Sequence, residues 1–326
     1  MKILPLLIFV ILLTFSCGCV LDTYPSISED GNDLSVKTIA IDFPYKDKEV
    51  TGFVELKLAP YSGAKLSKKT AVLYGKTKDS GWEEKYYDAM INDASLTDLY
   101  SRLIEFFDSY SAANSFDSDE YAEMVTSFVQ TIPYRTEESN TRFPIETVVD
   151  NYGDCDDKSI LLSGILSRKG YDVALLNFGN HMTAAINSSG SYKMIETTSY
   201  AYITEEVNLS EFNVETNVPK IYKIGEGMTP YYSEDKVDAV LKTYTSLLSD
   251  CAVLYSKISG LEKVIEDQKA SLNERYDNEL RIACNKNIDA YNSYVSQYKK
   301  KSEALSKLSL GRYNLEGAYE VVKGLS

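Results

Sequence analysis

Histidine is nearly absent from this chain, which contains one, His181, among its 326 residues. Metal sites built from several imidazoles are therefore excluded, and acid-base chemistry near neutral pH falls to this single side chain. Cysteine is also scarce, and no second cysteine or histidine is spaced to form a metal-binding pair with Cys155. Cys155, His181 and an aspartate are acceptable zinc ligands by type, but the spacing argues against such a site. We expect no metal and no other cofactor.

Basic residues are also few relative to acidic ones in this chain. Its 34 lysines and arginines stand against 48 aspartates and glutamates, which gives a formal net charge of −14. The acidic excess lies within residues 1–231, because acidic and basic side chains balance from residue 232 onward. Nucleic-acid binding needs a basic face, so the composition excludes nucleic acid as a partner.

Long apolar runs are missing except at the N-terminus. Residues 1–20 combine Lys2 with an apolar run over residues 3–15 and close on Ser-Cys-Gly-Cys, a pattern too short for a membrane span and typical of a secretory signal. An uncleaved anchor is the alternative. Cys19, or else Cys17, resembles a lipoprotein processing site. We therefore expect an exported protein, extracellular or at the cell surface, attached to the membrane by a lipid at its N-terminus.

The next segments predict a folded domain over residues 37–231, preceded by a linker. Residues 21–36 are rich in serine, aspartate, asparagine and glycine, which is typical of a mobile linker. Alternating apolar residues over 38–43 and 50–58 predict a β-hairpin. Apolar residues at helical spacing predict helices over 96–110 and 117–131, the second opened by a capping box of Asp117 and Glu120.

The stretch GDCDDK at residues 153–158 places a cysteine at the start of a helix. Asp154 is a suitable cap for a helix over residues 156–169, and Gly170 a suitable end. A helix N-terminus favours a thiolate, whereas the neighbouring aspartates oppose it. With a protonated His181 nearby, we expect the pKa of the Cys155 thiol to lie well below its ordinary value.

Three strands should follow this helix, over residues 171–178, 181–186 and 191–198. A turn symmetric about Ser188 and Ser189 would make His181 and Glu196 direct cross-strand neighbours on one face. A thiol, an imidazole and a carboxylate in this chain order are the components of a nucleophilic cysteine site. Cys155, His181 and Glu196 are therefore the candidate catalytic residues.

Spaced blocks of sequence resemble the transglutaminase-like superfamily, in particular its exported prokaryotic branch. The blocks are FVQTIPY at 128–134, RFPIET at 142–147 and GDCDDK at 153–158, followed by His181 and IETT at 195–198. The resemblance covers roughly residues 117–200, which would be the core of the domain. It implies an α+β, papain-like fold, in which a helix bearing the nucleophile packs on an antiparallel sheet that presents the base and the acid.

The resemblance also implies roles for individual residues. Cys155 matches the nucleophile, His181 the base and Glu196 the third member, a position at which many family members have aspartate. The N–H group of Cys155 is the expected oxyanion donor. Gln130 is either a second donor there or a residue of the helix surface.

The activity implied is acyl transfer on carboxamide or peptide bonds of a protein or peptide substrate, through a thioester. Resolution of the thioester by water would make the protein a protease or amidase, and resolution by an amine a cross-linking enzyme; the sequence leaves both open. The alternative from another class is a catalytically inactive surface-binding or scaffold protein that keeps the fold, with Cys155 and His181 as inert core residues.

The last segment, residues 232–326, predicts a helical arm. Apolar residues step by four and three from Val240 to Leu272, which is a coiled-coil seam, and the pattern slips afterwards. A hairpin turning near residues 267–268 would cover the seam and bring Cys251 and Cys284 within disulfide reach. The alternative is one long helix that self-associates with a second copy.

Overall fold

The chain folds into a mixed α+β structure with antiparallel sheets and long C-terminal helices. The structure is a computed structural model and describes residues 22–29, 31–74, 81–136, 141–212, 214, 216–225, 227–310 and 313–325. The strands of the described residues are β1 (Val36–Tyr45), β2 (Lys48–Lys57), β3 (Val173–Asn177), β4 (Met182–Ser188), β5 (Ser191–Ile195) and β6 (Lys220–Ile224).

Helices precede, connect and follow these strands. The helices of the described residues are α1 (Ala59–Leu66), α2 (Trp82–Ile91), α3 (Thr97–Asn114), α4 (Ser118–Thr131), α5 (Pro144–Asp150), α6 (Cys155–Arg168), α7 (Glu234–Glu274), α8 (Asn278–Leu310) and α9 (Leu315–Lys323). Short 3-10 helices span Ala94–Leu96 and Leu209–Phe212.

The predicted hairpin and the predicted helices of the domain are present. Strands β1 and β2 pair antiparallel around a two-residue turn. Helix α4 begins at the expected capping box, in which the Asp117 carboxylate accepts from the Glu120 N–H at 2.9 Å and the Glu120 carboxylate accepts from the Asp117 N–H at 2.9 Å. These local signals were sufficient because a cap and an apolar stripe act within one helix.

A four-stranded antiparallel sheet in the order β5-β4-β3-β6 forms the platform for helix α6. Alternate residues of β3 face opposite sides, so that Val173 and Leu175 join the main core while Ala174 and Leu176 join a smaller cluster. The smaller cluster is covered by the segment that carries Leu209. The central strands β3 and β4 are therefore buried on both faces, which explains their mostly apolar sequences.

The register of β4 and β5 differs from the prediction by two residues. The turn is Ser189 and Gly190, with φ angles of 52° and 85°, and Ser188 pairs with Ser191. Two positive φ angles are what a two-residue hairpin requires. His181 and Glu196 are therefore not direct cross-strand neighbours, and each lies just beyond the end of its strand. A shift of two residues keeps both on one face, whereas a shift of one would have reversed it.

The predicted linker is wrong for the part of it that the structure describes. Thr23 and Val72 exchange backbone hydrogen bonds of 2.9 and 2.8 Å, and the Ile27 N–H donates to the Asp93 carboxylate at 2.9 Å. The Ile27 side chain is buried in the main core. Residues 1–20, including Cys17 and Cys19, lie outside the described residues. No helix within the described ranges is both long and apolar enough to cross a membrane.

The arm is a hairpin of α7 and α8 with α9 packed against its base, which is the first of the two arrangements that the apolar seam left open. The connection lies at residues 275–277 rather than near 267–268. Lys301 bonds Asp250 at 2.8 Å, so Cys251 lies level with a residue about 17 positions after Cys284. At 1.5 Å per residue the two cysteines are about 25 Å apart along the arm. Both are free and buried, and the prediction that the hairpin would bring them within disulfide reach is wrong.

Helix α4 fastens the start of the arm to the domain through two carboxylates. Asp119 accepts from the Tyr232 N–H at 3.1 Å and from the Ser233 hydroxyl at 2.6 Å. Glu123 accepts from the Tyr231 hydroxyl at 2.9 Å and from the Tyr45 hydroxyl at 3.2 Å. Burial raises the pKa of Glu123 to about 7, although the two tyrosine hydrogen bonds lower it.

This contact predicts a pH dependence of stability. The native state holds the Glu123 proton more tightly than the unfolded chain, whose ordinary pKa is 4.5, so the free energy of unfolding should fall as the pH rises through about 5 to 7. Replacing Glu123 by glutamine should reduce this fall by roughly 1–3 kcal/mol. Urea unfolding at pH 5 and pH 8 measures the difference, with Glu279→Gln on the exposed arm as the control. Equal falls in both variants would contradict the assignment.

Candidate active site

The loop before α6 is held close to the helix by a glycine. A Cβ atom at Gly153 would lie 2.8 Å from the Asp157 Cβ, so a larger residue would displace the helix start. The Gly153 N–H donates to the Pro133 carbonyl at 3.2 Å, and its carbonyl accepts from the Arg135 N–H at 3.1 Å. Asp154 caps α6, and Cys155 is its first residue. The cysteine therefore sits at a fixed position on the first turn.

The sulfur of Cys155 faces the beginning of β4. Its S–H donates to Asp156 Oδ1 at 3.5 Å, and the N–H of Met182 donates to the sulfur. One turn further along α6, the Ser159 hydroxyl donates to the Met182 carbonyl at 3.3 Å. Two residues of one helix face thus hold Met182, the neighbour of His181 in the chain.

The imidazole of His181 is fixed on two sides. Its Nε2 lies 2.9 Å from Glu196 Oε2. One face stacks on the Phe212 ring, with centroids 4.1 Å apart and an interplanar angle of 11°. Because Nε2 is occupied by the carboxylate, Nδ1 is the ring nitrogen left to exchange a proton with the thiol.

Glu196 is fully buried at 0% exposure and is ionised by its hydrogen bonds. Its Oε1 accepts from the Thr198 N–H at 2.7 Å and from the Thr198 hydroxyl at 2.6 Å, while Oε2 faces His181. Burial opposes ionisation, but the hydrogen bonds from His181 and Thr198 outweigh it and hold the pKa of Glu196 below its ordinary value. An ionised carboxylate accepts a proton at Nε2 and so fixes the tautomer of the ring.

The thiol itself is not in the state that the sequence predicted. Burial is the main cause that raises the pKa of Cys155, and the charge of Asp156 raises it further, despite the N–H of Met182. The charge of Asp154 also raises it. The resting side chain is therefore a thiol, and nucleophilic attack requires a base to remove its proton.

Asp156 contacts the thiol and interacts electrostatically with the base. Its carboxylate accepts from the Cys155 S–H and from the Thr141 hydroxyl, the latter at 3.3 Å, and attracts a proton on His181. Burial and the charge of Asp154 raise the pKa of Asp156. From the sequence, this residue was expected only to oppose the thiolate through its charge. Its contact with the sulfur follows from its place next to Cys155 on the first helical turn.

The RFPIET block that begins at Arg142 supports the loop and the helix start beside Cys155. The N–H of Arg142 donates to Asp157 Oδ1 at 2.7 Å. The Arg142 guanidinium donates to the Tyr152 carbonyl at 3.0 Å and forms an ion pair with Asp150. Burial, followed by the charge of Asp154, raises the pKa of Asp157 to about 7. The block therefore fixes the loop and the helix start rather than reaching the reacting groups.

Of the two groups considered as oxyanion donors, the N–H of Cys155 is available and the side-chain amide of Gln130 is already hydrogen-bonded. Asp154 accepts from the N–H groups of Asp156 and Asp157 at 3.1 and 3.2 Å, and the N–H of Cys155 has no hydrogen-bond partner among the described residues. Gln130 is buried rather than on the helix surface, and its amide donates to the carbonyls of Glu196 and Ala201 at 2.8 and 2.9 Å. Gln130 is thus not a free donor for an oxyanion.

The structure also shows site residues that sequence reasoning missed. Phe212 stacks on the base, Thr198 orients the acid, and the half-exposed Tyr134 lies close enough to the thiol to sense its charge. Thr198 follows Glu196 by two residues, a spacing at which a threonine can bond a neighbouring side chain. Phe212 belongs to a segment distant in the chain from His181, and no sequence pattern near either residue predicts their contact. Within the described ranges, no group of three potential ligands is placed to hold a metal ion.

Comparisons with protein-family models, curated proteins and solved structures gave no match to this chain.

The contact between Asp156 and the sulfur predicts how fast the thiol reacts. Replacing Asp156 by asparagine removes the nearest negative charge, so the thiolate fraction should rise and alkylation of Cys155 by iodoacetamide at pH 7 should accelerate by roughly 3- to 30-fold. Peptide mass spectrometry separates Cys155 from Cys251 and Cys284. Asp235→Asn, on the exposed side of α7, is the control. An unchanged rate in Asp156→Asn would show that this carboxylate does not influence the thiol.

Proposed function

We propose that the protein is a transglutaminase-like cysteine acyl-transfer enzyme with a papain-like core. The observation that carries the proposal is the hydrogen bond of 2.9 Å between His181 Nε2 and the buried Glu196, beside a helix that begins at Cys155. An oriented imidazole whose second nitrogen is available is the requirement for activating a thiol. The packing of α6 on an antiparallel sheet whose end carries the base and the acid supports the same assignment.

The reaction begins with general-base activation. As the Cys155 sulfur attacks the carbonyl carbon of a carboxamide or peptide bond, its proton passes to His181 Nδ1, and the carbonyl electron pair moves onto the oxygen. The N–H of Cys155 donates to that oxygen. A raised thiol pKa suits this route, in which the thiolate forms during attack instead of being present at rest. Glu196 stabilises the imidazolium through its hydrogen bond to Nε2.

The second half of the reaction resolves the thioester. The tetrahedral intermediate collapses with cleavage of the carbon–nitrogen bond, and His181 gives its proton to the leaving ammonia or amine. Water or a second amine then attacks the thioester, His181 takes the proton of the attacking group, and the Cys155 thiol is restored. The substrate class is a protein or peptide. Export and lipid attachment belong to the same proposal and rest on residues 1–20.

A second candidate is a catalytically inactive scaffold that keeps the fold. The observation that favours it is the Cys155 thiol, whose burial and acidic neighbour Asp156 disfavour ionisation. On this reading the helical arm would hold a partner while the domain served as a binding surface. The two candidates differ in whether His181 and Glu196 affect covalent chemistry at Cys155.

Activity assays on three variants test the proposal. The assays are incorporation of dansylcadaverine into casein for amine transfer, and release of ammonia or new amines from casein for hydrolysis. Cys155→Ala and His181→Ala should abolish whichever activity is present, and Glu196→Gln should lower it by about 10²- to 10⁴-fold, because the wrong tautomer of His181 is then allowed. Circular dichroism verifies that each variant is folded.

The control is the double variant Cys251→Ser and Cys284→Ser, which removes the two thiols of the arm and should leave the rate unchanged. Activity that survives in Cys155→Ala, or that disappears in the arm variant, would place the chemistry elsewhere. No turnover of any casein bond by wild-type protein, together with no covalent adduct at Cys155, would favour the scaffold.

A further inference from the structure

Lys158 is completely enclosed by the fold, with 0% of its surface exposed. Its Nζ donates to the carbonyls of Ile132 and Gln130 at 2.8 and 3.2 Å, which are at the C-terminal end of α4. Within the described ranges, no carboxylate lies within ion-pair distance of it. A buried lysine without a paired carboxylate costs free energy, and the negative end of a helix dipole offsets only part of that cost.

Gln130 connects this lysine to the acid of the candidate site. Its backbone carbonyl accepts from Lys158, while its side-chain amide donates to the Glu196 and Ala201 carbonyls at 2.8 and 2.9 Å. Both of these acceptors are carbonyl oxygens, so the amide nitrogen, and not its oxygen, faces them. The nucleophile helix and the segment bearing the acid are thereby joined through one residue of α4.

The charge of Lys158 also acts on the acid directly. Burial lowers the pKa of Lys158 to about 8, and the attraction of Glu196 opposes that fall. Lys158 is therefore mostly charged at neutral pH. The hydrogen bonds from His181 and Thr198 contribute more to the ionisation of Glu196 than this attraction does. The lysine thus adds a buried positive charge that attracts the Glu196 carboxylate.

We infer that Lys158 is a positioning residue for the His181–Glu196 pair, acting through its charge and through its contact with Gln130. The inference rests on the proposed function, because it assigns the pair a role in catalysis. Lys158 follows Cys155 by three residues on α6, so its fixed Nζ also sets the helix relative to the acid. Its hydrogen bonds go to the carbonyls of Ile132 and Gln130 and not to Cys155 or to the His181 ring.

The only histidine of the chain gives a direct probe of this charge. The ring of His181 has its own NMR signals in a protein purified without a histidine tag, and its titration needs no substrate. Removing the positive charge in Lys158→Met should move the midpoint of that titration to higher pH by about 0.5 to 1 unit. Lys158→Arg, which keeps the charge, should leave the midpoint near that of wild type.

Lys37→Met is the matched control, since Lys37 Nζ also donates to a carbonyl at the end of a helix, that of Val149 at 2.7 Å, but far along the chain from the acid. It should not move the midpoint. A purely structural lysine at position 158 would lower the melting temperature without changing the titration. Equal midpoints in Lys158→Met, Lys37→Met and wild type would overturn the inference.

Wild-type protein decides the question if Lys158→Met does not fold. The His181 signals should then show a second, smaller change near pH 8, where Lys158 loses its proton. A single change up to pH 10 would overturn the inference. The outcome is separate from that of the proposed function: an inactive protein that shows the charge effect would refute the enzyme proposal, and an active one without it would refute only the role of Lys158.

Discussion

The hydrogen bond between His181 and the buried carboxylate of Glu196 is the contact on which the candidate site depends. It joins two residues that lie just beyond the ends of neighbouring strands, where the sheet no longer fixes them. The bond therefore needs support from elsewhere in the fold. Thr198 and Gln130 hold the acid, Phe212 holds the ring, and the first turn of α6 delivers Cys155 beside them. Removing the carboxylate would leave the imidazole without a preferred tautomer.

Glu196 and Cys155 are both largely buried, but they differ in protonation state. At Glu196, three hydrogen-bonding atoms, Nε2 of His181 and the N–H and hydroxyl of Thr198, are close enough to keep the carboxylate ionised inside the protein. At Cys155, burial and the charge of Asp156 raise the pKa of the thiol more than the hydrogen bond from the Met182 N–H lowers it, so the thiol stays protonated. On the function proposed, the thiol proton would pass to His181 only as the sulfur attacks the substrate. A thiol that stays protonated at rest reacts slowly with electrophiles in general.

The sequence was most informative where structure is local. The caps at Asp117 and Asp154, the β1–β2 hairpin and the seam of the arm follow from signals within a few residues. The β4–β5 register was missed although Gly190 is the usual marker of such a turn, because symmetry about Ser188 and Ser189 placed it one residue too early. The turn of the arm carries no glycine or proline, and its position is set by which side chains pack across the two helices.

The rest depends on contacts between distant segments. The pKa of the Cys155 thiol follows from tertiary burial, which a helix-start argument does not contain. Gln130 looked like a surface or oxyanion residue until its two carbonyl partners, 66 and 71 positions away, were seen. The contacts of Phe212 with His181 and of Lys158 with Gln130 also join segments that are distant in the chain. Chain order identified the thiol, the imidazole and the carboxylate, whereas their supports became visible only in three dimensions.

The central claim is that Cys155 forms a thioester that requires His181. Wild-type protein mixed with a glutamine-containing peptide and quenched in acid within milliseconds to seconds should carry an acyl group on the peptide that contains Cys155, detected by mass spectrometry and removed by neutral hydroxylamine. The adduct should be absent from His181→Ala. An adduct that forms equally without His181, or one located on Cys251 or Cys284, would contradict the claim.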